Sequence, residues 1–525
     1  MKLERLHESL LPFFVILIGL LVAVGIGTFA GSGQTGSVLP VIGAIGVVAF
    51  FLIVREKIWI LIPSTWMLSG KIVALPLPFS LAQLCVLFAF GTFLLLKAFK
   101  VIRIKPKMGL VEIWMMIVLG YLVVTFIRNP VGVDAFGSDR VGGKPYADAV
   151  IACCAYWVLA RAVATPKESQ LVLLLGVAGY GLNAWVNAIA YRFPSTAQPM
   201  ARLYSGISAA DTAEGSTVLA SDGSARLAYL QGIGGTLFSY AYYRWPPFTV
   251  INPIYIGRFL TVLIAFILVL MSGFRSALMS TFLAFLMVTY LRNGLFPALR
   301  AVVAAALGLG FVVLGQGTLY ELPFAAQRTL SFLPGKWDYM AKKEAEASTE
   351  WRTTMWKVML TGNKYIQNKW LGDGYGFTKV QLQIMSANQW GSDEDLKENL
   401  MIGGGVHSGP ISSIRYVGYV GLTLFLILLL LAARRALQLI RRAENTPFYT
   451  LALAAGIPLI LYPFLFVVVF GAYETDLPNA IFAIGMQKLL ENSLEAYEAR
   501  GKSPITKPQT VEAPKFRRPP EFVQV

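Results

Sequence analysis

Two arginines and one histidine stand out in this chain because of where they fall. Arg275 interrupts the stretch LVLMSGFRSALMSTFLAFL, between two apolar runs, and a charge at such a place is expensive in lipid. It is either a short-loop cation snorkelling to headgroups or a planar, permanently charged fork facing a buried anion such as a diphosphate. Arg258, about two turns into its own apolar run after Asn252-Pro253, reads more simply as a snorkelling or packing residue. Arg352 lies in Glu350-Trp351-Arg352-Thr353-Thr354-Met355-Trp356-Lys357. If that segment is helical, Arg352 and Trp356 share a face, as many surface helices also do. Then comes Trp370-Leu371-Gly372-Asp373-Gly374-Tyr375-Gly376-Phe377, where Gly372, Gly374 and Gly376 permit a tight turn and close approach of backbone to a ligand. Finally, Gly403-Gly404-Gly405-Val406-His407-Ser408 leads into an apolar run beginning Gly409-Pro410. A lone His is more often structural than catalytic. This one follows a glycine run at a membrane edge, and imidazole titrates near neutrality, which makes it a candidate general base.

The elements that must position these residues are membrane helices. Of 525 residues, 56% are hydrophobic and only 14% charged, against about 25% charged in a soluble globular protein. That composition excludes a water-soluble fold, a disordered chain and a disulfide-rich secreted module. Apolar runs fall near 10–30, 38–54, 58–70, 80–97, 109–127, 147–164, 170–191, 227–243, 250–272, 276–291, 297–316, 409–432, 448–470 and 477–490. The third and last are short enough to be re-entrant or interfacial. The first run is too long for a signal-peptide core and Thr28-Phe29-Ala30 is a poor cleavage site, so it reads as a retained helix. The expected fold is therefore an all-α polytopic membrane protein with about twelve to fourteen transmembrane helices.

The net charge of +16 does not call for nucleic acid, because the basic residues distribute as a topological label. With the N-terminus placed inside, the inside loops hold Arg55 and Lys57; Lys97, Lys100, Arg103, Lys105 and Lys107; Arg161 and Lys167; Arg244; Arg292; and Arg434, Arg435, Arg441 and Arg442. The short outside loops read GSGQTGS, SGKIVALPLPF and a Gly/Asp-rich stretch from Asn129 to Tyr146, the asymmetry that the positive-inside rule requires. An even number of crossings leaves both termini cytoplasmic. The tail from Arg500, with six Lys/Arg, two Glu and five Pro, reads as a flexible basic extension able to touch anionic membrane lipids.

Two outside segments are too long for turns. One runs from Arg192 to Arg226 and is rich in small residues; the other, from Gly317 to about Ser408, holds ten Lys/Arg, ten Asp/Glu and five Trp. The aromatic and apolar spacing from Trp337 to Ile366 predicts helices lying on or dipping into the outer leaflet. The chain thus divides into N-terminal helices (1–190), central helices with a loop at 192–226 (191–316), a large, partly helical loop subdomain (317–408), C-terminal helices (409–490) and a Pro/basic tail (491–525).

Other chemistries are poorly served. No internal repeat points to an inverted-repeat transporter. Cys85, Cys153 and Cys154 all fall in apolar spans, and two His residues do not make a multi-His metal site. No phosphate-binding loop, dinucleotide fingerprint or serine-hydrolase elbow occurs in a credible context.

The order SGFRSA, WRTTMWKVM, WLGDGYGF and VHSGPISSIRYVGYVGLTLFLILLL resembles the O-antigen ligase/polymerase superfamily of bacterial membrane glycosyltransferases with a large periplasmic loop. The resemblance covers roughly 250–430, while the first 190 residues match only as generic spans. Phe274-Arg275 stands where the family has Ser-Arg, and His407-Ser408 where it has His-Asn. The resemblance implies a GT-C-like fold in the bacterial inner membrane and a cofactor-free, metal-independent transfer at the periplasmic face, within polysaccharide or lipopolysaccharide biosynthesis. The donor would be a glycan on undecaprenyl diphosphate. The acceptor would be lipid A-core sugar for a ligase, or another lipid-linked repeat unit for a polymerase. Arg275 and Arg352 would neutralise the diphosphate leaving group in place of a metal, and His407 would take the acceptor's proton. Trp356, Gly372, Gly374 and Gly376 would join the two arginines in binding substrate. A lipid-linked sugar transporter or flippase is the alternative of another class, but it predicts more polar spans and a shorter outer loop. A structural scaffold would need none of Arg352, the glycine turn and His407.

Overall fold

The computed structural model describes residues 55–501 except 69, 74–77, 103, 105, 132–141, 208–226, 378, 389–391 and 405. The expected spans at 10–30 and 38–54, the tail from 502, Trp390 and Gly405 lie outside the described residues. Among the described residues no strand forms; two isolated bridges, Ile72 with Tyr204 and Gln316 with Tyr320, are the β-type contacts.

Each apolar run in this range becomes helical because backbone polar groups must be satisfied internally in lipid. The run at 58–70 is split: a tight turn, Arg55–Ile60, leads into the short α1, Leu61–Thr65. There follow α2, Leu81–Ala98; α3, Leu110–Arg128; α4, Lys144–Leu159; α5, Pro166–Arg192; and α6, Pro194–Leu203. Capping residues in the sequence fix the starts. Ser80 and Gln83 exchange side-chain-to-backbone bonds of 3.2 and 2.8 Å before α2. Thr165 and Glu168 do the same before α5, where Pro166 takes the first helical position.

The central helices are α7, Ala228–Arg244; α8, Ile256–Met271; α9, Arg275–Asn293; and α10, Leu295–Gly315. The large loop contains α11, Phe324–Leu330; α12, Tyr339–Thr361; α13, Lys379–Ala387; and α14, Asp393–Ile402. The chain returns through α15, Gly409–Ala443; α16, Tyr449–Phe464, extended by a π turn Leu465–Val469; and α17, Tyr473–Gly501. Among the described residues six helices are long and apolar enough to cross a bilayer: α2, α3, α5, α10, α15 and Tyr449–Val469. The last apolar run, short in the sequence, is part of a 29-residue helix, because its charged continuation finds partners on α15.

Contacts sort the helix ends into two sets. Where α15 and α17 begin, the Tyr473 amide donates to Ser412 Oγ at 2.9 Å. Where they end, Arg442 pairs with Glu498 at 2.8 Å, so the two helices run parallel with α16 returning between them. At that second end Arg435 pairs with Glu491 at 2.5 Å and also with Glu112, Lys488 pairs with Glu491 at 2.7 Å, and Lys57 pairs with Glu168 at 3.1 Å. Glu112 is only 1% exposed, so losing its partner would strand a buried charge, at a cost of about 3–5 kcal/mol. Thus part of the basic end is neutralised within the bundle. The opposite end carries the large loop. The apolar core lies between, with Trp59, Phe93, Leu159, Phe425 and Phe448 buried.

Candidate functional site

The cations of interest gather where α8 turns into α9. The turn Ser272-Gly273-Phe274 reverses the chain and makes Arg275 the first residue of α9. Its guanidinium donates to the Ala345 carbonyl of α12 at 3.2 Å, two turns before Arg352 on that helix. Arg328, from α11, pairs with Glu344 of α12 at 2.7 Å and donates to the Gly273 carbonyl at 3.4 Å. Arg275 consequently feels the like charges of both Arg328 and Arg352. Three guanidiniums share one patch, and Glu344 offsets one of them.

Arg352 is the least compensated of the three. It is half-buried, and among the described residues it has no hydrogen-bond or ion-pair partner. Burial pushes its guanidinium below the ordinary arginine value. A partly desolvated cation without an anion is unfavourable on its own, and two such cations side by side form a place where an anion is strongly preferred.

A second set of contacts ties this patch to His407. Trp356, one turn beyond Arg352, donates its indole N–H to the Val406 carbonyl at 3.2 Å. Trp351 and Trp356 also pack against a cluster that includes Met355, Met359, Ile402 and Ile411, so Trp356 is engaged by its own subdomain. His407 follows Val406 with a left-handed backbone, φ +50°, and its ring lies 5.3 Å from that of Phe470 at 31°. Phe470 is where the π turn ends. A non-glycine residue in this conformation persists only where its surroundings over-determine it. Arg275, Arg352 and His407 are therefore brought to one end of the bundle by α9, α12 and the segment leading into α15.

The glycine turn does something else as well. Gly418, φ +70°, breaks α15 in its third turn, which frees backbone groups on both sides of the break. The turn at 369–374 takes them up. The Asp373 and Gly374 amides donate to the Arg415 and Tyr416 carbonyls at 3.0 and 2.8 Å, and the Tyr419 and Val420 amides donate to the Lys369 and Trp370 carbonyls at 2.9 and 3.2 Å. Gly372, φ +76°, fits so closely that a Cβ there would meet Tyr416 O at 2.4 Å. Gly374 and Gly376 lie against Tyr146 and Val131. The close approach these glycines allow is to the chain's own backbone and to α3 and α4. Arg128 and Tyr121 of α3 add bonds of 3.0 and 3.1 Å to the Leu371 carbonyl.

Sequence reasoning passed over Arg415 and Asp373. Arg415 is 2% exposed and pairs with Asp373 at 3.2 Å, while the same carboxylate accepts from the Gln367 and Asn368 amides at 2.8 Å each. The available signal was a lone Arg in an apolar run and a lone acid in the glycine turn. Arg328 and Glu344 gave no local signal. Arg258 donates to Thr249 at 3.0 Å and lies over the rings of Trp245 and Tyr255. Trp370, 70% exposed beside Tyr419, is the aromatic ring of the turn most open to a ligand. Among the described residues no group of three or more His, Cys, Asp or Glu side chains gathers as a metal site would require.

Apolar helices that run to and fro between a basic end and a loop-bearing end define an all-α, multi-pass membrane protein. No protein-family model matches the chain, and no curated protein matches it.

Proposed function

We propose that this protein is a bacterial inner-membrane glycosyltransferase. In this reading it moves a glycan from an undecaprenyl-diphosphate carrier to a lipid or glycan acceptor at the periplasmic face, as an O-antigen ligase or a repeat-unit polymerase does. The observation that carries the reading is the half-buried pair Arg275 and Arg352, near enough for the second charge to act on the first, with no ion-pair partner for either among the described residues. Cleaving the sugar–diphosphate bond leaves negative charge on the diphosphate, and fixed cations at that position stabilise it as it develops. His407, tied to the Arg352 helix through Trp356 and Val406, is the group assigned to accept the proton of the attacking hydroxyl. The glycine turn, through Gly372, Gly374 and Gly376, holds the large loop on the bundle. The proposal includes a GT-C-like arrangement with twelve to fourteen crossings, both termini cytoplasmic and the loop of 317–408 in the periplasm.

Deleting the gene and examining surface glycans tests it. Loss of lipid A-linked polymer with accumulation of long lipid-linked chains is the expected result for a ligase; single repeat units on lipid A are expected for a polymerase. Unchanged surface glycans in the deletion strain refute both.

A further inference from the structure

On the helix side of Arg275 and His407 the bundle leaves a cavity of about 330 Å³. Its polar lining comes from Tyr180 of α5, Gln231 of α7, Ser276, Ser280 and Thr281 of α9, and Tyr462 of α16. Every one of these groups is an uncharged hydroxyl or amide. Ser276 is the residue after Arg275, and Phe470, which contributes to the same wall, is the ring against His407. The cavity is therefore linked to the site through Ser276 and through Phe470.

Tyr462 is engaged, its hydroxyl donating to the Asp476 carboxylate at 2.8 Å, but other polar groups on this wall are not spent as they are elsewhere in the bundle. Thr236, Thr261 and Thr289 turn back on the carbonyl one turn earlier at 2.7, 2.8 and 2.8 Å, the usual way to satisfy such a group inside a helix. Among the described residues the side chains of Gln231, Ser276, Ser280 and Thr281 have no hydrogen-bond partner. All four are part-exposed, so their donors and acceptors are open to a ligand that enters the cavity. A polyprenyl chain would leave them open, and a diphosphate would want cations. A sugar ring offers hydroxyls for the polar wall and C–H faces for the aromatic one. The volume is at the small end of the ~300–1,000 Å³ found for small-molecule sites.

Resting on the reading above, we propose that this cavity is a subsite for one neutral sugar unit, next to the arginine patch that takes the diphosphate. The sugar is either the unit attached to the donor diphosphate or the acceptor unit. Both present the same chemistry, and the experiment separates them.

The full-length protein in lipid nanodiscs is titrated with undecaprenyl diphosphate, with undecaprenyl diphosphate bearing one N-acetylglucosamine, and with a short-chain alkyl glucoside. The wild type is compared with Gln231→Met, with the double variant Ser280→Ala/Thr281→Val and with Arg352→Ala; thermal unfolding verifies each fold. The two cavity variants should bind bare undecaprenyl diphosphate as wild type does. They should lose about tenfold in affinity for a sugar-bearing probe, the equivalent of one or two hydrogen bonds to hydroxyls. Loss on the lipid-linked sugar assigns the cavity to the donor, and loss on the alkyl glucoside alone assigns it to the acceptor. Arg352→Ala should weaken both diphosphates. If neither cavity variant changes the binding of either sugar probe, or if both weaken the bare diphosphate equally, the subsite is overturned. Should the wild type bind the glucoside through this wall but neither diphosphate, the glycosyltransferase reading fails while the sugar subsite stands.

Discussion

Replacing Arg352 by Ala separates function from fold at this site. The guanidinium is half-buried and, among the described residues, has no anion to orphan, and its removal relieves repulsion on Arg275. The fold should therefore keep its thermal stability, with an unfolding shift of less than about 2 °C. On the proposed reading transfer should suffer heavily, because one of the two cations assigned to the leaving diphosphate is lost. A charge-assisted hydrogen bond contributes ~1.5–3 kcal/mol, and a charge pair near 4 Å at a protein surface about 4 kcal/mol. Mutagenesis at comparable fixed donors costs ~10²–10³ in rate, so a fall of about two to three orders of magnitude is expected. Arg352→Lys should recover part of it, since Lys restores the charge without the planar fork. The assay is transfer from purified lipid-linked donor, with unfolding followed on the same sample. Arg415→Ala is the control: it breaks a pair in which Arg415 is 2% exposed and should cost about 3–5 kcal/mol of stability. Transfer within about threefold of wild type in Arg352→Ala, or a stability loss as large as that of Arg415→Ala, refutes the reasoning.

Other consequences can be checked alongside. His407→Ala should lower turnover by ~10²–10⁴-fold if the imidazole is the base, and near-normal turnover would leave His407 a structural role only. Gly418→Ala should destabilise the chain by more than the ~1–3 kcal/mol of a left-handed non-glycine residue, because the added Cβ would meet Trp370 O at 2.2 Å; unfolding in detergent measures it. Transfer in the presence of EDTA should match that in its absence if two arginines take the place of a divalent ion, and recovery of lost activity by added magnesium would contradict that account.

Much of the helical scaffold was legible in the sequence because apolar runs and capping residues are local signals. The run at 80–97 appears as α2, Leu81–Ala98, behind its Ser80–Gln83 box, and the helix expected within Trp337–Ile366 appears as α12. The break at Gly418 was not legible: a single glycine within a helical run is no certain break, and the partners that stabilise the break are residues 369–374, far away in the chain. The same holds for Arg328 with Glu344 and for Arg435 with Glu112. Arg275, Arg352 and His407 were legible as unusual residues. Their common neighbourhood depends on a backbone contact, Arg275 to Ala345, and on one indole bond, Trp356 to Val406, neither of which leaves a mark on local composition.

The joint between the glycine turn and the broken α15 also sets an order of assembly. Asp373 and Arg415 are 42 residues apart, so the turn leaves the ribosome about 2–8 s before its partner at 5–20 residues per second. During that interval the Asp373 and Gly374 amides and the Lys369 and Trp370 carbonyls lack the partners they find on α15. The large loop then reaches its final form only after the following helix has entered the bilayer. A stall or error in inserting that helix would leave the loop incomplete, however soundly its own helices had formed.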